Sequence, residues 1–292
     1  MIEPKPDGVI QIIPANDQGS TSADDALIEG LSRGRGKKYV RFLTAALSSL
    51  PWVGGLIGAS ASLHAESDQA KLNELQRLWL EEHKTKVEEF GRTLDEIFIR
   101  LESFGDEVKE RIESPEYLAL VKRAFRSWDA ADTDEKKQMF KKLITNAGAI
   151  KLCPDDLIRL FLGWIELYHE AHFLVIKAIY KSPGITRAEI WERIHGPRPR
   201  EDSSDADLFR YLIRDLSTGG VIRQELETDW QGNFLKKDAK GRSQGSPSRT
   251  MESAFEDTKP YVLTELGKKF VHYVMEDVVR QVASGHSEPS GE

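Results

Sequence analysis

The chain has one cysteine, Cys153, in 292 residues, so an internal disulfide is excluded and a reducing compartment is implied. Cys153 precedes Pro154 at a helix start, as a buried structural thiol would, and has no partner suited to nucleophilic catalysis. No secretory signal opens the chain, because MIEPKPDG has neither a basic nor an apolar region. The expectation is cytoplasmic residence, peripheral to the inner membrane if the apolar segment below engages lipid. The sequence also lacks a P-loop, Gly-x-Gly-x-x-Gly, Gly-x-Ser-x-Gly and zinc-type cysteine spacing. A non-enzymatic protein without a cofactor is therefore expected. Glu166, His169 and His172 hold a single Glu-x-x-His unit, whereas a four-helix di-iron site needs two with further carboxylates. They read as a helix surface at a domain junction, and no metal is expected.

Charge of one sign is missing overall but not locally. The formal net charge is −7, yet residues 1–30 carry −5 and residues 31–41 carry +5, from Arg33, Arg35, Lys37, Lys38 and Arg41. An acidic tail thus meets a basic junction; the two cancel, and the net −7 falls on the rest of the chain. A uniform nucleic-acid-binding charge is excluded.

Long apolar runs are also scarce. The exception is Phe42–Leu63, with 22 residues free of charge, long enough to span a bilayer. Pro51, three glycines, four serines and a threonine dilute it. Gly54 and Gly58 form a Gly-x-x-x-Gly pair that permits close helix approach. Trp52, Gly54, Gly55 and Gly58 are the candidate membrane or interface residues. Three readings stay open: a buried hairpin or oligomer interface split at Pro51, insertion into a membrane on a trigger, and a permanent span.

The pattern elsewhere predicts a mainly α protein: a long-helix bundle followed by a winged helix-turn-helix domain with a small β-wing. Residues 1–37 read as a disordered acidic tail with its basic junction, 38–171 as a helical module, 172–280 as the winged helix and 281–292 as a second tail. In the helical module, residues 64–113 form one long helix of roughly 70 Å at 1.5 Å per residue. Phe90, Leu94, Ile97, Leu101, Phe104 and Val108 repeat along it at spacings 4, 3, 4, 3, 4. Such a seam fits either an antiparallel bundle or a dimeric coiled coil, and the expected partner in the second case is another copy of the chain. Pro115 after Ser114 opens a helix with the stripe Tyr117, Leu120, Val121, Ala124, Phe125 and Trp128. Asp132 with Glu135 reads as a capping pair, and Leu160, Phe161, Trp164, Tyr168, Val175 and Ile179 are expected to face inward.

In the last module Thr186 and Glu189 form a capping box. Ser204 is expected to cap a helix whose face is Leu208, Phe209, Leu212, Ile213 and Leu216, and VIRQELE follows as a strand. With the turn Leu263-Thr264-Glu265-Leu266-Gly267-Lys268, this segment resembles winged helices of the MarR/PadR-like kind. That resemblance implies a recognition helix, Asp205–Thr218, and a long basic wing, residues 228–259. The candidate nucleic-acid contacts are Arg210 and Arg214 on the helix, with Lys236, Lys237, Lys240, Arg242 and Arg249 on the wing. Asp205, Asp207 and Asp215 on the same helix would repel phosphates, so packing against a protein partner competes with DNA binding.

A second resemblance covers about residues 113–180. Glu135, Lys136, Phe140, Leu143, Asn146 and Ala147, then Phe173, Ile176 and Ile179, match the layout of the Abi-alpha (abortive-infection alpha) type of bacterial protein; Lys142, Ile144 and Gly148 depart from it. It implies an accessory or effector protein in phage defence, with a membrane-related or assembly segment near the N-terminus, and carries no catalytic residues. The expected function is a non-enzymatic protein of that type, oligomerising through its helical module and contacting a defence partner or nucleic acid through the winged helix. The alternatives are a DNA-binding regulator that dimerises through the long helix, and a structural adaptor in a larger complex.

Overall fold

The computed structural model describes residues 36–53, 69–105, 108–149, 153–225, 231 and 253–276. They are mainly helical, and they divide into two compact units that meet in sequence between Glu166 and Leu167.

In the N-terminal unit, α1 (Gly36–Leu47) ends in a turn before Pro51, a residue that disfavours helical geometry at its predecessor. Next come α2 (Gln69–Glu102), α3 (Lys109–Glu113), α4 (Pro115–Asp129), α5 (Asp134–Ala149) and α6 (Asp155–Leu167). The core is aromatic. Tyr39 of α1 stacks on Phe98 of α2 at 4.3 Å between ring centroids. Phe42 meets Phe98 at 5.4 Å and Phe125 of α4 at 6.1 Å, and Phe90 meets Phe125 at 5.3 Å. Arg111 of α3 holds Asp155 of α6 through two bonds of 3.1 and 2.5 Å.

The expected single helix over residues 64–113 is broken. Helix α2 stops at Glu102, and Gly105 takes φ +78°, the left-handed geometry that ends helices and that glycine adopts without strain. The spacing from Phe104 to Val108 therefore bridges a turn. All six seam residues are nonetheless buried, at 6 % exposure or less. They are covered within the chain's own unit, where α2 packs on α5 and Phe90 and Phe98 meet α1 and α4. Seam burial is thus the bundle alternative of the two.

Three local expectations need correction. Thr133, not Asp132, caps α5, because its Oγ1 accepts from the Lys136 N–H at 3.4 Å; Asp132 instead lies 3.4 Å from the Lys136 ammonium. Ser203, not Ser204, caps the later helix. Leu160 and Leu208 are exposed at 39 % and 53 % rather than facing inward, since each lies on the edge of its apolar stripe where no described element covers it.

The C-terminal unit runs through α7 (Glu170–Lys181), β1 (Ile185–Thr186), α8 (Arg187–His195), α9 (Ser204–Thr218), β2 (Ile222–Gln224), β3 (Pro260–Leu263) and α10 (Glu265–Val274). The strands form an antiparallel sheet in the order β1-β3-β2. Ile185 pairs with Tyr261, and Ile222, Arg223 and Gln224 pair with Leu263, Val262 and Tyr261. Helices α8 and α9 are joined by an aromatic cluster in which Phe255 sits against Trp191 and Phe209, at 5.3 and 5.9 Å. Thr264 caps α10 and ties it to β2, since its Oγ1 accepts from the Gly267 N–H at 2.9 Å and donates to the Gly220 carbonyl at 2.6 Å. Among the described residues no helix is long and apolar enough to cross a membrane.

Candidate functional site

Two neighbouring surfaces of the C-terminal unit carry chemistry, and both involve α9. Phe209, Leu212, Ile213 and Leu216 seat that helix in the core. The opposite side is open: Leu208 and Tyr211, one turn apart, are each 53 % exposed. Carboxylates precede them in the chain, with Asp205 and Asp207 in the first turn of α9 and Glu201 and Asp202 just before it.

Arg210 does not reach outward as a recognition residue would. Its guanidinium donates to Asp207 Oδ1 at 2.7 Å and Glu201 Oε2 at 2.5 Å. Glu201 also accepts from the Ser253 hydroxyl and from the Ala254 N–H at 2.9 Å. Burial opposes its ionisation, yet the donors from Ser253, Ala254 and Arg210 hold its carboxyl below the usual range. Arg210 therefore joins α9 to the segment leading into β3.

The second surface lies between the C-terminal half of α9 and strands β2 and β3. It is an open groove of about 610 Å3 lined by Arg187, Arg210, Arg214 and Arg223 together with Ser217, Thr218, Gln224 and Tyr261. At its floor the Tyr261 hydroxyl accepts from Arg187 Nε at 2.9 Å and Nη2 at 2.6 Å, and from Gln224 Nε2 at 3.4 Å. Arg214 is exposed on the rim.

On the other flank of α9, His172 is 1 % exposed and links α7 to α9. Its Nδ1 accepts from the His169 N–H at 3.1 Å, and its Nε2 faces Asp215 Oδ2 at 3.1 Å. Accepting at Nδ1 puts the ring proton on Nε2, so Nε2 donates to the carboxylate. Burial pulls the His172 pKa down against the opposing pull of Asp215. Beside it, burial raises the Tyr168 phenol to about 12, with Asp215 and Tyr211 adding to the shift. The dyad has the members of a catalytic pair, with Nδ1 committed to the backbone at the start of α7.

The residues singled out from sequence are dispersed. Glu166 is engaged within the N-terminal unit, accepting from Ser127 Oγ at 2.6 Å and Arg123 Nη2 at 2.9 Å. Trp52 packs inward, stacked on Trp79 at 5.6 Å and donating to Asp129 Oδ1 at 2.8 Å. Gly54, Gly55 and Gly58 lie outside the described residues, as do Lys236, Lys237, Lys240, Arg242 and Arg249. Arg187, Arg223 and Tyr261 escaped the sequence reading, because the groove joins positions up to 74 apart in the chain. A cation heading the capped helix α8 and another inside a strand were the only signals available.

No family model matches the chain, and no curated protein or solved structure matches it either.

Proposed function

We propose that the chain is a non-enzymatic interaction protein of the abortive-infection type, whose C-terminal unit is a winged helix that docks a partner protein through α9. The winged-helix reading is supported by the element order α-β-α-α-β-β-α and the central place of β3 in its sheet. The abortive-infection reading rests on the residue pattern from Glu135 to Ile179. The observation that carries partner docking is the open side of α9: Leu208 and Tyr211 stand exposed on a helix whose first turn and approach carry Glu201, Asp202, Asp205 and Asp207. Such a surface repels the phosphates of a duplex and complements a partner that brings a basic rim around an apolar anchor.

The test replaces Leu208 with Asp and Tyr211 with Ser in cells that depend on the protein for survival of phage challenge. A photoreactive residue at position 208 or 211 then captures what α9 touches. Both substitutions are expected to abolish protection and the cross-link while the fold is kept. Full protection by the double variant overturns the reading. The runner-up, a DNA-binding regulator, is favoured by the arginines of the groove. It requires salt-sensitive retention of duplex DNA that Arg214→Ala weakens.

A further inference from the structure

The groove between α9 and the sheet has a lining chemistry that partner docking does not use. We infer that it binds the phosphate groups of a small phosphorylated ligand, of the size and charge of a nucleoside triphosphate. Three observations converge on an anion with several acceptor oxygens.

The first is sign. Four guanidinium groups line the groove, and among the described residues no carboxylate does. Among the described acids, Glu201 and Asp207 hold Arg210, and Glu265 feels Arg223 while it pairs with Lys268 at 2.7 Å. Arg214 makes no ion pair with any described residue, and its side chain is exposed at the rim.

The second is hydrogen-bond direction. The Nε–H of Arg210 is buried and has no acceptor among the described residues, although its two Nη groups are occupied. Tyr261 is 2 % exposed, and every bond recorded for its hydroxyl ends on the oxygen. Its own proton has no acceptor among the described residues at the groove floor. Buried donors of this kind are costly unless an acceptor arrives. A phosphate supplies acceptors in several directions, and guanidinium groups grip it in pairs.

The third is size. A volume of about 610 Å3 falls within the range of small-molecule sites, and Ile213 and Ile222 add apolar wall beside the cations. A duplex would have to lay further phosphates along α9, over Asp207, Asp205 and Asp202, where they are repelled. The anion site is thus suited to a compact ligand.

Calorimetric titration of the full chain tests this, with inorganic pyrophosphate, ATP and a short DNA duplex as separate probes. Pyrophosphate and ATP are expected to bind saturably, and Arg214→Ala to weaken both roughly tenfold, the loss of one charge-assisted hydrogen bond. Lys177→Ala, exposed on α7 and outside the groove, is expected to leave both unchanged. Circular dichroism confirms that the variants keep their fold, which the exposed position of Arg214 favours. Absence of saturable binding, binding indifferent to Arg214→Ala, or binding of the duplex alone each overturns the inference. The Leu208 and Tyr211 substitutions leave phosphate binding intact, so this inference and partner docking fail independently.

Discussion

Acidification should loosen the start of α7 through one side chain, His172. Its Nδ1 accepts the His169 N–H, and its Nε2–H reaches Asp215. A second proton can enter only at Nδ1, which turns the acceptor into a donor facing another donor. The cap bond is lost and a part-buried N–H is stranded, a penalty of about 1–3 kcal/mol that the stronger pull of Asp215 only partly offsets. Burial is the leading cause of the lowered His172 pKa, so the unfolded chain binds this proton more readily than the folded one. Stability is therefore full above the unfolded histidine value of about 6.5 and falls as the pH drops below it, by at most about 1.4 kcal/mol per pH unit for one proton. Glu189, Glu201 and Glu256 have lowered pKa values, so their contributions are lost only at more acidic pH. His172→Gln isolates the effect: glutamine at this helix position still accepts the His169 N–H but does not titrate. Its expected cost is about 1 kcal/mol at neutral pH, and the slope between about pH 5 and 6.5 should flatten. Urea unfolding across that range measures the slope, and exchange of the His169 amide reports on the cap itself. A variant that keeps the wild-type slope, or a wild type that grows more stable on acidification, would refute the reasoning.

Gly267→Ala should be among the most damaging single changes. A Cβ there would overlap the Val221 carbonyl oxygen and lie 3.1 Å from its carbon, and backbone at the entrance to β2 cannot yield, so a loss of about 3 kcal/mol is expected in thermal unfolding. Trp52→Ala removes the stack on Trp79 and His83 and the bond to Asp129. A loss of about 2 kcal/mol should appear in urea unfolding of the N-terminal unit. Arg111→Met leaves Asp155 without its bidentate partner in a site where both side chains are under a fifth exposed, for about 2 kcal/mol by the same assay. Leu208→Asp with Tyr211→Ser should move stability by no more than about 0.5 kcal/mol, which circular dichroism melting checks.

Local chemistry was legible in the chain, and long-range chemistry was not. Thr186 with Glu189 and Ser114 before Pro115 announce helix starts because a cap involves neighbours in sequence. The burial of Phe90, Leu94, Ile97 and Leu101 follows from spacing alone. The break at Gly105 hid behind that same spacing, since Phe104 and Val108 stay buried across the turn. Leu208 reads as core by hydropathy, and it is surface because no described residue packs over it. The groove depends on Arg187, Arg223 and Tyr261 meeting through the β1-β3-β2 pairing, a register no sequence window contains. His172 showed itself as a histidine after a glutamate, yet its partner, Asp215, is 43 residues away.

The central place of β3 has an engineering consequence. It pairs with β1 on one side and β2 on the other, although all of residues 232–252 precede it in the chain. A gene divided within that interval would yield a large piece that lacks its middle strand and a small piece that carries Phe255, Tyr261, Leu263 and Phe270. Neither could bury its apolar surface alone. Fused to two test proteins, the halves would reassemble only when brought together, which makes the C-terminal unit a natural split reporter.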